Sequence, residues 1–163
     1  MIKHYEPSEA PEQRDMIVGS IDPIRKASEK SDYMGVSIWG VSGKNKYCIF
    51  SKAIRLSRLK AGTFIVMMNS KYNPDIILYE INVEATLYDR LLEKGLPMEE
   101  INATKDKYAY LLDVQPQFER GEVYLRKGKD EILERQLTNF PDVDHDDVLD
   151  TCTKALKRIE KNI

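Results

Sequence analysis

The sequence has no apolar run approaching the roughly 20 residues that span a bilayer, so no transmembrane helix is expected. Its opening residues, Met1 to Asp15, are polar and lack the apolar stretch of a signal peptide. Cysteine is scarce: Cys48 and Cys152 stand far apart and outside any CxxC or Cys/His spacing. That argues against a disulfide scaffold or a thiolate zinc site and fits a reducing, cytoplasmic setting. No GxxxxGK pattern followed by Ser or Thr occurs, so ATP hydrolysis by a P-loop is not expected. An excess of positive charge is absent too. Lys and Arg number 25 against 27 Asp and Glu, a formal net charge of −2. Coating of nucleic acid by bulk positive charge is thereby excluded, and only local basic patches remain available.

What is present fits one globular domain. The 163 residues are 42% hydrophobic and 32% charged, enough to bury roughly 68–70% of the unfolded surface. Met1–Arg14 carries two prolines and no apolar period, and reads as a linker or lead-in arm, with order beginning near Met16. Met16–Asp22 is apolar and β-branched and stops at Pro23, which predicts a buried strand ending at Asp22. Met34–Gly43 and Tyr47–Ser57 flank a turn sequence around Gly43 and predict a hairpin. The chain thus opens with three consecutive antiparallel strands. Leu59–Tyr72 is expected as a helix stopped by Asn73-Pro74, and Asp75–Glu80 as a buried strand closed by a carboxylate. A helix over Val83–Gly95 and a strand over Met98–Ala103 follow. Lys105–Val114 is expected to be helical and to end before Pro116. Gly121–Leu125 is a strand, Asp130–Phe140 a helix, and about His145 to Lys161 the last helix, with an apolar stripe of Val148, Cys152, Ala155, Leu156 and Ile159. Strands followed by alternating helices and strands predict an α/β fold with a mixed sheet flanked by helices.

The acidic residues fall at particular places. Asp22 ends one apolar strand, Glu80 ends another, and Asp144, Asp146, Asp147 and Asp150 crowd the start of the last helix. If the two strands are parallel neighbours, their carboxyl ends share one sheet edge, and a helix starting nearby adds further carboxylates. Such a cluster is costly unless a cation neutralises it. Oxygen donors without His or Cys select Mg²⁺ or Mn²⁺. A pair of such ions can activate water and stabilise the leaving oxygen of a phosphodiester. The simpler alternative is an N-cap or dipole role for Asp144 or Asp146 and a solvated loop position for Glu80. At about 100° per residue, Asp147 lies roughly 120° from the apolar stripe and Asp150 almost opposite it, so Asp147 reaches the sheet edge more easily. His145, beside the cluster, reads either as a surface residue or as an aid to the reacting phosphate. Lys105 and Lys107, and separately Arg126, Lys127 and Lys129, are candidate phosphate contacts or solvated charges. Trp39 is expected in the core.

Taken in order, these segments resemble the C-terminal nuclease domain of the tailed-phage terminase large subunit, over nearly the whole chain. YEPSEAPEQRDM is similar to the linker after the family's ATPase domain. SIDPIRKASEKSDYMGVSIWG resembles the first motif, an Asp-Pro at a strand end followed by a polar loop and Ser-Asp-Tyr. PDIILYEINV resembles the second, and QFERGEVYL, ERQLTNFP and DHDDVLDT match the closing run, where Phe-Pro precedes an acidic helix start. The resemblance implies an RNase H-like fold over 16–163 behind an arm at 1–15, related to Holliday-junction resolvases. It also implies two Mg²⁺ or Mn²⁺ ions. Carried onto this chain, the catalytic acids are Asp22, Glu80 and Asp147, with Asp22 bridging the metals and Asp146 and Asp150 as further ligands. The implied activity is endonucleolytic cutting of double-stranded, concatemeric viral DNA during packaging. The implied partners are DNA, an ATPase domain, a small terminase subunit and a portal, and no membrane. Two departures stand out: Thr151 where many relatives have Ala, and Tyr108 in a stretch where many have Arg, which passes phosphate contact to Lys107. A junction-resolving nuclease and an inactive DNA- or portal-binding module are the alternatives.

Overall fold

The computed structural model describes residues 2–11, 14–23, 33–81, 85–102, 106–142 and 147–161. Among these residues, seven strands form one mixed sheet: β1 (Lys3–Tyr5), β2 (Met16–Asp22), β3 (Met34–Ser42), β4 (Asn45–Ile54), β5 (Ile76–Glu80), β6 (Met98–Ile101) and β7 (Val123–Arg126). Five helices flank it: α1 (Arg58–Tyr72), α2 (Thr86–Glu93), α3 (Lys107–Glu119), α4 (Glu131–Asn139) and α5 (Asp147–Glu160). The strand order is β1-β7-β4-β3-β2-β5-β6. β2, β3 and β4 form the expected antiparallel meander, and every other pairing is parallel. β3 therefore runs against the other six strands. Their carboxyl ends all point one way, which is where open α/β sheets carry their sites.

Local chemistry accounts for the element ends. The hairpin turns at Gly43, whose φ of 60° is left-handed and costs glycine little. Ser57 caps α1 by accepting from Lys60 N at 3.3 Å. Asn73, left-handed at φ 48°, stops α1 before Pro74 as anticipated.

Two apolar layers hold the helices to the sheet. Ile21, Val36, Ile38, Ile77 and Tyr79 pack on one face under Ala61, Ile65 and Met68 of α1 and Leu91 of α2. On the other face Val18, Trp39, Val41 and Leu78 meet α3, α4 and α5 through Val114, Phe118, Leu133, Val148, Cys152, Leu156 and Ile159. Trp39 is fully buried. Both cysteines are free and buried, and burial pushes both thiols up, away from reactivity.

Two expectations need correcting. Order begins earlier than Met16: Lys3–Tyr5 adds a parallel edge strand to β7, and the Tyr5 hydroxyl donates to Cys48 O at 2.7 Å. Pro116 does not end α3, which runs on to Glu119. Proline removes its own N–H bond and crowds the carbonyl four residues back, but it leaves the following residues free to stay helical. Burial of Gln117 and Phe118 holds the final turn, closed by Arg120 N donating to Pro116 O at 3.0 Å.

Candidate active site

β2 and β5 are apolar along nearly their whole length because both of their faces are covered. Each then ends on a carboxylate. The strands pair in parallel, with Ser20 opposite Leu78 and Ile21 opposite Tyr79. One step further, Asp22 and Glu80 occupy the same edge. Side chains alternate along a strand, so Asp22 follows Val18 and Ser20, and Glu80 follows Leu78, onto the face that carries α3, α4 and α5. Each acid is only 5% exposed.

The third element arrives over a glycine. Gly35 of β3 lies directly opposite Asp22 in the register. A Cβ on Gly35 would sit 2.3 Å from Asp147 O and 2.6 Å from Asp147 C. The first turn of α5 thus rests on bare backbone beside Asp22, a close approach that only glycine permits. One turn on, the Thr151 and Ser37 hydroxyls are 2.8 Å apart, and Trp39 Nε1 donates to Ser37 Oγ at 2.9 Å. Ser37 in turn pairs across to Ser20 of β2. A polar seam therefore fixes where α5 crosses the sheet, and with it the position of Asp147.

Two lysines enter this edge. Lys154 Nζ lies 3.1 Å from Glu80 Oε2, with both side chains more than nine-tenths buried. Lys107, the first residue of α3, places Nζ 3.2 Å from Asp150 Oδ2. Asp150 does not point away to solvent, as its helical angle predicts, but is 5% exposed. The angle measures only distance from the apolar stripe. α5 is covered on further sides: Gln117 of α3 donates to Leu156 O at 3.2 Å, and Leu149 N donates to Gln136 Oε1 of α4 at 2.9 Å. The polar flank holding Asp150 is thus buried against α3.

The remaining candidates lie elsewhere. Arg126 and Lys127 sit at the end of β7 and just beyond it, three strand spacings from β2, or about 14 Å. Arg126 is locked to Asp130, its Nη2 donating to Oδ1 at 2.7 Å, and Lys127 Nζ is 3.5 Å from Glu6. Lys105 and Asp146 lie outside the described residues, as do Asp144 and His145. Sequence reasoning overlooked Gly35, Ser37 and Lys154. A glycine inside an otherwise bulky strand was the signal for the first. The spacing Asp147, Thr151, Lys154, which shares one helical face, was the signal for the last.

The donors at this edge are carboxylate oxygens, the set that suits hard divalent cations. Asp22, Glu80, Asp147 and Asp150 are the described carboxylates that this edge brings near one another. Among the described residues, no three His, Cys, Asp or Glu side chains converge closely enough to grip a metal as they stand. The acids share the edge, while Glu80 and Asp150 turn toward ammonium groups. The kind of donor fits a divalent ion, and the acids share one edge without being gathered on a single point.

No family model and no curated protein sequence matches the chain. Solved structures do. The large terminase from a thermophilic bacteriophage superposes with a TM-score of 0.74 at 12% identity, over 97% of this chain and 42% of that one. The large terminase nuclease from thermophilic phage G20c, determined with bound zinc, gives 0.68 at 14% identity over 97% and 93%. The human cytomegalovirus terminase nuclease domain gives 0.66 at 15% over 94% and 88%, and it has also been determined after a manganese soak. The chain therefore spans less than half of the first of these proteins and nearly all of the two nuclease domains. Its mixed sheet and flanking helices are the RNase H-like fold of large-terminase nuclease domains.

Proposed function

We propose that this chain is a divalent-metal-dependent nuclease that cuts double-stranded DNA, serving as the nuclease part of a viral DNA-packaging motor. One observation carries the reading. Carboxylates from β2, β5 and the first turn of α5 are delivered to a single sheet edge, on a fold shared with terminase nuclease domains. Four acids at one edge repel one another, a cost that a stable fold bears where cations compensate it.

Asp22, Glu80 and Asp147 are the residues that would hold the ions, with Asp150 and Asp146 as additional donors. Mg²⁺ or Mn²⁺ held there supplies activation of water for attack on phosphorus and charge stabilisation of the departing 3′ oxygen. The chain itself does the positioning. Asp22 is fixed by seven paired residues of β2, from Met16 to Asp22. Asp147 is placed by its seat on Gly35. Lys107, with its side chain about half exposed at the rim, is a cation available to a DNA phosphate. An ATPase domain, a small subunit and a portal are the partners this role requires.

Plasmid DNA incubated with the protein and Mg²⁺, Mn²⁺ or EDTA tests the proposal. Nicking or linearisation with either metal, abolished by EDTA and by Asp22→Asn, is the expected result. Absence of cleavage under every divalent ion, with DNA still bound, would leave a binding module instead. Preference for a four-way junction over linear duplex would mark a resolvase.

A further inference from the structure

Lys154 is a cation built into the acidic edge. It stands seven residues beyond Asp147 on α5, on the same helical face. Its ammonium is 3.1 Å from Glu80 Oε2, both side chains are more than nine-tenths buried, and Glu80 neighbours Asp22 across the β2–β5 pairing. A buried lysine beside a carboxylate supplies in the resting protein the positive charge that a divalent ion would bring. The two cannot occupy the Glu80 side on equal terms, because like charges a few ångströms apart in a desolvated site repel strongly.

We propose that Lys154 is a positioning residue that competes with the divalent ion for Glu80, holding this carboxylate in a lysine-paired resting state from which metal loading must release it. This rests on the divalent-metal reading of the same edge. It explains why acids that share the edge do not converge on a common point: part of the cluster is already neutralised by a side chain. It also makes the two halves of the site unequal. Ions held by Asp22 and Asp147 load without displacing Lys154, whereas ions that use Glu80 load against it.

Mn²⁺ titration of the whole chain, read by the electron paramagnetic resonance of free Mn²⁺, provides the test. Lys154→Gln keeps a hydrogen-bond donor but removes the charge, and its weakest Mn²⁺-binding step is expected to tighten at least about tenfold. Lys154→Arg retains the charge and grips a carboxylate with two parallel bonds, so that step should weaken several-fold. Melting in EDTA and in Mn²⁺ accompanies each titration: the metal-induced rise should be larger in Lys154→Gln than in wild type. If Lys154→Gln does not fold without metal, the Arg variant still decides. A merely structural lysine would lower melting in EDTA and leave both affinities unchanged, which overturns the inference. Mn²⁺ binding that is lost in Asp22→Asn but indifferent to residue 154 refutes it while sparing the nuclease reading. No Mn²⁺ binding by wild type or Lys154→Gln at millimolar concentration removes both.

Discussion

The two ends of the sheet each bury a lysine against a glutamate, yet the pairs sit in opposite company. At the amino-terminal end Lys46 Nζ lies 2.9 Å from Glu122 Oε1, and Arg120 adds two bonds to the same carboxylate at 2.7 and 3.2 Å. Two cations serve one acid there. The hydrogen bonds from Arg120, aided by Lys46 and opposed by burial, draw the Glu122 carboxyl down to about 2. At the other end, among the described residues, Lys154 and Lys107 stand with Glu80, Asp22, Asp147 and Asp150, two cations to four acids. The Glu122 cluster is complete in itself, a device of stability. The Glu80 cluster instead gathers acids from β2, β5 and α5, the donor type that a divalent ion would use. A buried ion pair alone therefore says little about function; the charge balance around it says more.

The sharpest way to break the contrast is Asp22→Asn. Cleavage is expected to fall roughly 10³-fold, the order seen when one charge-stabilising group is removed from a reaction centre, while melting changes little because the apolar core of β2 is untouched. Wild-type cleavage rates in this variant would take Asp22 out of the chemistry. Glu122→Gln should do the reverse. Leaving Lys46 buried without its carboxylate should cost about 3 kcal/mol in urea unfolding, with metal-dependent cleavage retained per folded molecule.

The pH dependence follows from the same acid. Its folded value is below the ordinary 4.5, so its contribution is fully present above about 4.5 and lost as pH falls toward about 2. Wild-type stability should drop through that window, and Glu122→Gln should be flatter across it. Gly35→Ala comes next. Its methyl group has no room against Asp147, and an overpacking cost of about 2 kcal/mol is expected. Weakened Mn²⁺ binding should accompany it, because α5 must shift away from Asp22. Unchanged Mn²⁺ affinity in a folded Gly35→Ala protein would detach Asp147 from the site. Lys107→Ala is the mildest: its side chain is about half exposed, so a loss within about 1 kcal/mol is expected, shrinking further in high salt.

Much of this was legible in the residues. The boundaries of β2 matched those expected, because a β-branched run closed by Asp-Pro leaves little freedom. The α1 stop at Asn73-Pro74 and the hairpin at Gly43 were equally legible, each resting on a local backbone preference. The edge strand Lys3–Tyr5 was not, since three half-polar residues become a strand only when β7 offers a partner. The burial of Asp150 escaped for a related reason: a helical wheel registers one packed face, whereas α5 is packed on several.

Local sequence determined which residues could be strands, which helices, and that acids would close β2 and β5 and open α5. Those are short-range properties, set by side-chain shape, backbone preference and alternation. Tertiary structure alone decided that α5 rests on Gly35 beside Asp22, and that Lys154, 74 positions from Glu80, supplies its buried counter-charge. Such pairings depend on how helices cross a twisted sheet, and crossing geometry is settled by the packing of the whole core.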